Sequence, residues 1–165
     1  MDGGTIVKLI ICIIACFAAA GIGGIFTSKA ISDWYEGLKK PRYTPPNWVF
    51  GPVWTVLYIL MAVSVFLVWQ EGLSAQGVPL AFTLFWIQLV ANALWSYVFF
   101  ASRSIVGGII NIIILWLLIL ATIIASFSVS TIAGILLLPY ILWVSTATYL
   151  NIGIWMLNKP DKEGL

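Results

Sequence analysis

The sequence predicts an all-α membrane protein, a bundle of five transmembrane helices with a long structured loop between the first and second. Three observations predict it. Of the 165 residues, 62% are hydrophobic and only 8% charged, and the mean hydropathy is +1.07, far outside the usual composition of a water-soluble domain. The apolar residues fall into five runs, each near the roughly 20 residues a helix needs to cross a hydrocarbon core about 30 Å thick. Only one connection between these runs is both long and polar, so residues 1–165 form a single membrane domain.

The first span is expected at about 6–26. Ala18-Ala19-Ala20 resembles a signal-peptidase site, but the run continues through Ile22, Gly23, Gly24, Ile25 and Phe26, long enough to stay as a span. Small residues at four-residue spacing, Ala15/Ala19/Gly23 and Ala20/Gly24, make a flat strip that admits a second backbone, within the bundle or across a homodimer. Cys12 and Cys16 stand one helical turn apart in a chain without histidine, a pattern that suits neither a disulfide framework nor a zinc site. No metal is expected and no cofactor is required.

Residues 27–48 form the polar loop, with Lys29, Asp33, Glu36, Lys39, Lys40 and Arg42. The remaining spans are expected at about 49–69, 80–100, 105–127 and 132–157, with short links. Five crossings put the termini on opposite faces. Lys8 then stands alone against Lys29, Lys39, Lys40, Arg42, Arg103, Lys159 and Lys162. In a plasma membrane that bias places the loop and the carboxyl terminus in the cytoplasm. Trp48, Trp69 and Trp155 fall near span ends, where interfacial aromatic belts belong. A net charge of +2 is too small and scattered for a nucleic-acid partner.

No Asp, Glu, Lys, Arg or His occurs between Pro52 and Gln70, Leu80 and Ser102, or Gly107 and Leu157. Intramembrane charge marks most proton relays and ion paths, so an ion-coupled pump is not expected. The spans carry aromatic and amide side chains instead. Gln88, Asn92 and Trp95 share one face of the third helix, Trp54, Tyr58 and Met61 one face of the second, and Tyr140, Trp143, Ala147 and Asn151 one face of the fifth. Taken singly, such amides bond to neighbouring helices and such indoles fill the core. Taken together, the three faces suit a flat, largely apolar ligand, with rings to stack on it and amides to orient its polar edge.

The segment Lys40-Pro41-Arg42-Tyr43-Thr44-Pro45-Pro46-Asn47-Trp48 has three prolines that fix φ and favour a stiff, extended path. Beside the bundle mouth it would cap a ligand, Trp34, Tyr35, Tyr43 and Pro45 lying against the rings and Lys39, Lys40 or Arg42 meeting carboxylates. Attraction to anionic lipid head groups explains the basic cluster equally well.

The run Trp34-Tyr35-Glu36-Gly37-Leu38-Lys39-Lys40-Pro41, followed by Pro45-Pro46-Asn47-Trp48-Val49-Phe50-Gly51-Pro52-Val53-Trp54-Thr55-Val56-Leu57-Tyr58, resembles the signature of the tryptophan-rich sensory protein and translocator protein family. Gln88 to Asn92, Trp95, Phe99 to Arg103, Pro139-Tyr140, Trp143 and Leu150-Asn151 recur at that family's spacing. The resemblance implies a five-helix bundle, frequent homodimers, and a pocket that closes over porphyrins such as protoporphyrin IX, over sterols and over benzodiazepine-type ligands. It also implies that Trp54, Asn92, Trp143 and Ala147 line the pocket and that Trp34 and Tyr35 belong to its lid. Some bacterial members are reported to degrade protoporphyrin in light, which makes Trp54 and Trp143 the candidate catalytic residues. Two departures stand out. Tyr43 replaces a tryptophan of the loop, and Ile152 to Met156 replace the tyrosine and basic residue of a sterol motif, which argues against cholesterol.

The expected function is a membrane receptor or sensor for tetrapyrroles, protoporphyrin IX first and haem second. Light- and oxygen-dependent porphyrin degradation ranks second, although no acid, base or nucleophile accompanies the indoles. Transport of a porphyrin or lipid ranks third, since no inverted repeat or broken helix pair is visible.

Overall fold

The computed structural model describes residues 2–159, the side chains of residues 31 and 32 excepted, so Lys162 lies outside the described residues. Helix α1 is Gly3–Ala30 and is followed by a π-helical turn, Ile31–Tyr35. Helix α2 is Asn47–Gln70, and α3, Val78–Ser96, continues into a second π-helical turn, Tyr97–Ala101. Helix α4 is Ile105–Phe127, while α5, Thr131–Leu136, and α6, Leu138–Leu157, together make the fifth span. Five segments are thus long and apolar enough to cross a membrane, as the hydropathy predicts.

Local chemistry explains where the elements depart from the expected bounds. The first helix starts earlier because the Asp2 carboxylate accepts the Thr5 N–H at 2.8 Å, capping an otherwise unpaired donor. The Thr5 side chain, then its N–H, holds that carboxyl below the ordinary carboxylate range. At the other end the helix runs past Phe26 to Ala30, with the Thr27 hydroxyl satisfied inside it by donating back to the Gly23 carbonyl at 2.8 Å. The fifth span, expected as one helix, breaks at Leu137 because Pro139 has no N–H to continue the ladder. The π turn after Ser96 adds a residue to one turn, and Phe99 and Phe100 both end up buried.

Around the ring, α1 packs between α2 and α3, α4 packs between α3 and the fifth span, and α2 closes the circle mainly through α5. The Ser64 hydroxyl makes that closure, donating to the Ala133 carbonyl at 2.8 Å. Close approach of α4 to the α3 turn requires a glycine, since a Cβ on Gly108 would stand 2.6 Å from the Phe99 ring. Near the far end, Lys8 Nζ donates to the Trp69 carbonyl and ties α1 to α2.

The 27–48 loop is folded and held from three sides. Asn158, at the end of α6, accepts the Lys39 N–H at 3.0 Å and donates to the Lys39 carbonyl at 2.9 Å, a two-way grip on the backbone of one residue. Pro41 lies directly on Gly153 of α6, where any Cβ would overlap the proline ring. Arg103, in a left-handed conformation between α3 and α4, pairs with Asp33 at 2.8 Å. The loop, the α3–α4 turn and the end of α6 therefore share one face.

Candidate functional site: a cavity between the first three helices

A cavity of about 490 Å³ lies between α1, α2 and α3. Phe50, Trp54 and Tyr58 line it from α2, Ala20, Gly23, Gly24 and Thr27 from α1, and Asn92 and Ser96 from α3. Its size falls within the roughly 300–1,000 Å³ of small-molecule sites, and its mainly apolar wall with few polar groups has their composition. The Ser96 hydroxyl forms no hydrogen bond among the described residues, and Gly23 lets it come close, at 3.0 Å from where a Cβ would be.

Behind this cavity the polar side chains of the three aromatic-and-amide faces bond to one another. Tyr58 donates to Asn92 Oδ1 at 2.7 Å, Asn92 Nδ2 donates to the Tyr140 hydroxyl at 2.7 Å, and Tyr140 donates to Gln88 Oε1 at 2.9 Å. This chain ties α2, α3 and α6 across the bundle. Gln88 Nε2 is left buried without a partner. Trp95 donates over a long 3.4 Å to Asn151, whose amide in turn bonds to the Ala147 carbonyl. The rings of Trp54, Tyr58, Trp95 and Tyr140 form one cluster, Trp54 lying 5.6 to 6.4 Å from the other three.

The structure brings Trp54, Tyr58 and Asn92 to the cavity, with Gln88, Trp95, Tyr140, Ala147 and Asn151 buried in the core. Trp143 lies elsewhere. It lines a second cleft, about 500 Å³, with Pro52, Val53, Val56, Leu57, Pro139, Leu142 and Thr146 on the other side of α2. Phe50, in edge contact with Trp143 at 5.6 Å, stands between the two spaces. Trp34 and Tyr35 pack on the α3 π turn, against Phe99 and Phe100, with Lys40 over the Tyr35 ring. Tyr43 is exposed beside Arg42, and Pro45 is half-buried. None of these four loop residues lines the cavity.

Periodicity alone did not identify the α1 wall, Ser96, Gly153 or Asn158. Ala20/Gly24 was legible as a flat strip, but whether it meets a helix or a void depends on how α1 is tilted. Asn158 carries a weak signal, an amide just past the last helical residue.

Burial pushes the Tyr35 phenol up to about 12. The folded protein then holds this proton more tightly than an unfolded chain, whose phenol titrates near 10. Docking of Tyr35 contributes fully below that ordinary value and is lost as pH rises through about 12. A tyrosinate difference spectrum between the wild type and Tyr35→Phe is expected to develop only near the top of that range.

Residues 12–156 match the TspO/MBR family model. The chain is 42% identical over 153 residues to the tryptophan-rich protein TspO of Chlorobaculum tepidum, covering 93% of this chain and 97% of that one. It is 36% identical over 149 residues to protein CrtK of Rhodobacter capsulatus, covering 90% and 91%. Against the translocator protein of Homo sapiens it is 36% identical over 154 residues, covering 92% and 88%. The five-span bundle and these near full-length similarities agree, and the chain belongs to the TspO/MBR family of integral, multi-pass membrane proteins.

Proposed function

We propose that this protein is a membrane receptor or sensor that binds a tetrapyrrole such as protoporphyrin IX in the cavity between α1, α2 and α3. One observation carries the reading. A cavity of about 490 Å³ is walled by Phe50, Trp54 and Tyr58, with Asn92 and Ser96 among its polar lining. Indole and phenol rings stack on a flat π-system, and a hydroxyl orients one polar edge. The names of the relatives, tryptophan-rich sensory protein and translocator protein, agree with a ligand-responsive membrane protein. The six described basic residues Lys29, Lys39, Lys40, Arg42, Arg103 and Lys159 on the loop face, against Lys8 on the other, support a cytoplasmic loop in a plasma membrane.

Titration with protoporphyrin IX, followed by tryptophan fluorescence, tests the reading. Saturable quenching is expected, weakened about tenfold in Trp54→Ala by loss of the stacking ring and its buried area. Trp143→Ala, which reaches the cavity only through Phe50, is expected to weaken it less. No quenching, or equal affinity in wild type and Trp54→Ala, rejects the proposal.

The contact of Trp54 with Tyr58, Trp95 and Tyr140 supports a second reading, in which light and dioxygen oxidise the bound porphyrin beside readily oxidised rings. Illumination with and without oxygen separates the two. A receptor releases unaltered porphyrin, whereas the oxidation yields a new open-chain absorbance that depends on Trp54.

A further inference from the structure

We infer that ligand enters this cavity sideways from the bilayer, through the seam between α1 and α2, and that the 27–48 loop, pinned to α6, is not the door. The inference rests on the tetrapyrrole-site reading and adds the route, hence the class of ligand: an amphiphile already dissolved in the membrane.

The seam is closed at one end and open at the other. Lys8 bonds to Trp69 at the far end, and Cys12 and Cys16 are fully buried in the core cluster that includes Tyr58 and Met61. Toward the loop face α1 is held against α3 instead, through Gly23 on Ser96 and Phe26 edge-on to Tyr97 at 5.3 Å. The inner lining, Gly23, Phe50, Tyr58, Asn92 and Ser96, is buried, whereas Phe17, Gly21, Gly24, Ser28, Gly51 and Thr55 are exposed. Exposed residues of a span face either the cavity or the lipid beside it, and these six lie along its edge on both helices. A Cβ added to Gly21, Gly24 or Gly51 would meet no atom within 4 Å, so the rim is open on both helices.

The loop itself is pinned in place. Among the described side chains none from 33 to 46 lines the cavity, and the loop is gripped by Asn158, seated on Gly153 and anchored by the buried Tyr35. Polar residues of the lining gather at the loop end, on Thr27, Ser28 and Asn47, while the Thr55 hydroxyl deeper in is used on the Gly51 carbonyl. The last turn of α1 adds Lys29. A ligand that keeps its carboxylates at head-group level and slides its rings inward against Ala20 and Trp54 fits that polarity.

The full chain in phosphatidylcholine vesicles tests the route in two arms. In the first, phosphatidylcholine with brominated acyl chains quenches tryptophan by contact. The Trp54 contribution, taken as the difference from Trp54→Phe, is expected to be quenched in the wild type and lost to quenching in Gly24→Leu and Gly51→Leu, which fill the rim at positions where a Cβ meets no atom and favour the helix. Gly21→Leu serves if either fails to fold. A Trp54 contribution untouched by bromine, or quenched equally in the plugged variants, overturns the proposal. In the second arm, protoporphyrin IX is loaded in the vesicles, and its association is expected to slow about tenfold in the plugged variants but to stay near wild type in Asn158→Ala. Faster association in Asn158→Ala with no effect of the plugs makes the loop the door and overturns the proposal. Bromine quenching without porphyrin binding rejects the tetrapyrrole reading and leaves the lateral opening standing.

Discussion

Replacing Asn92 with leucine is expected to destabilise the bundle by about 1–3 kcal/mol, read as a lowered thermal midpoint in detergent. Asn92 is 1% exposed and is the middle member of the Tyr58–Asn92–Tyr140 chain, accepting from one hydroxyl and donating to the other. Leucine of similar volume removes both bonds. It strands the Tyr58 hydroxyl, while Tyr140 keeps its bond to Gln88. In a membrane interior single polar contacts contribute about 0.6 kcal/mol on average because the separated helices find other partners. The larger loss is therefore expected to come from the orphaned donor rather than from the missing bonds. That difference is measurable: Tyr58→Phe combined with Asn92→Leu removes the orphan and should recover part of the loss. A double variant that is simply the sum of the two singles shows that the chain does not act as a unit.

Gly153→Val is expected to lift the loop from the bundle while leaving the five spans in place. Its Cβ would overlap the Pro41 ring, and loop and helix cannot both keep their positions. Overpacking of this kind costs about 1–3 kcal/mol, which raises the population of detached loop roughly 5- to 150-fold. Trypsin reports it directly, since the Lys39–Lys40 and Arg42–Tyr43 bonds lie in the segment that Gly153 and Asn158 hold down. Cleavage there should accelerate by a similar factor, with the helical circular dichroism unchanged. Asn158→Ala removes both ends of the grip on Lys39 and is expected to give the same signature more weakly, because Pro41 still rests on Gly153. Cleavage at the wild-type rate in Gly153→Val would show that the loop is held elsewhere.

Much of the bundle is legible before any coordinates, because the determinants are local. Length and hydropathy decide whether a segment crosses, so all five spans were readable, and lysine and arginine counts mark the two faces. The helical faces were readable too, and Tyr58, Gln88, Asn92 and Tyr140 do meet. The two roles open to such amides, bonding to neighbouring helices or orienting a ligand, could not be told apart by spacing. Their polar atoms turn out to be used on each other, apart from Gln88 Nε2.

Trp143 shows where periodicity runs out. It follows Tyr140 by three residues, which leaves it about 60° around the helix from that side chain. Tyr140 is fully buried, but 60° is enough to carry Trp143 past the inner face into the cleft between α2 and α6. Spacing gives an angle about one axis, and only the position of the neighbouring axis turns that angle into an inside or an outside.

The sequence by itself determined that this chain spans a membrane five times, which segments do so, and that their inner faces carry rings and amides instead of charges. Tertiary structure alone decided that α1 rests on α3 and parts from α2 near the loop face, that a cavity opens there, and that Gly153 and Asn158 pin the loop. The division has a physical reason. Insertion depends on the transfer free energy of each segment, a sum over neighbours along the chain, whereas a cavity depends on the tilt between helices, set by contacts such as Gly23 with Ser96 and Pro41 with Gly153 that join residues far apart in sequence.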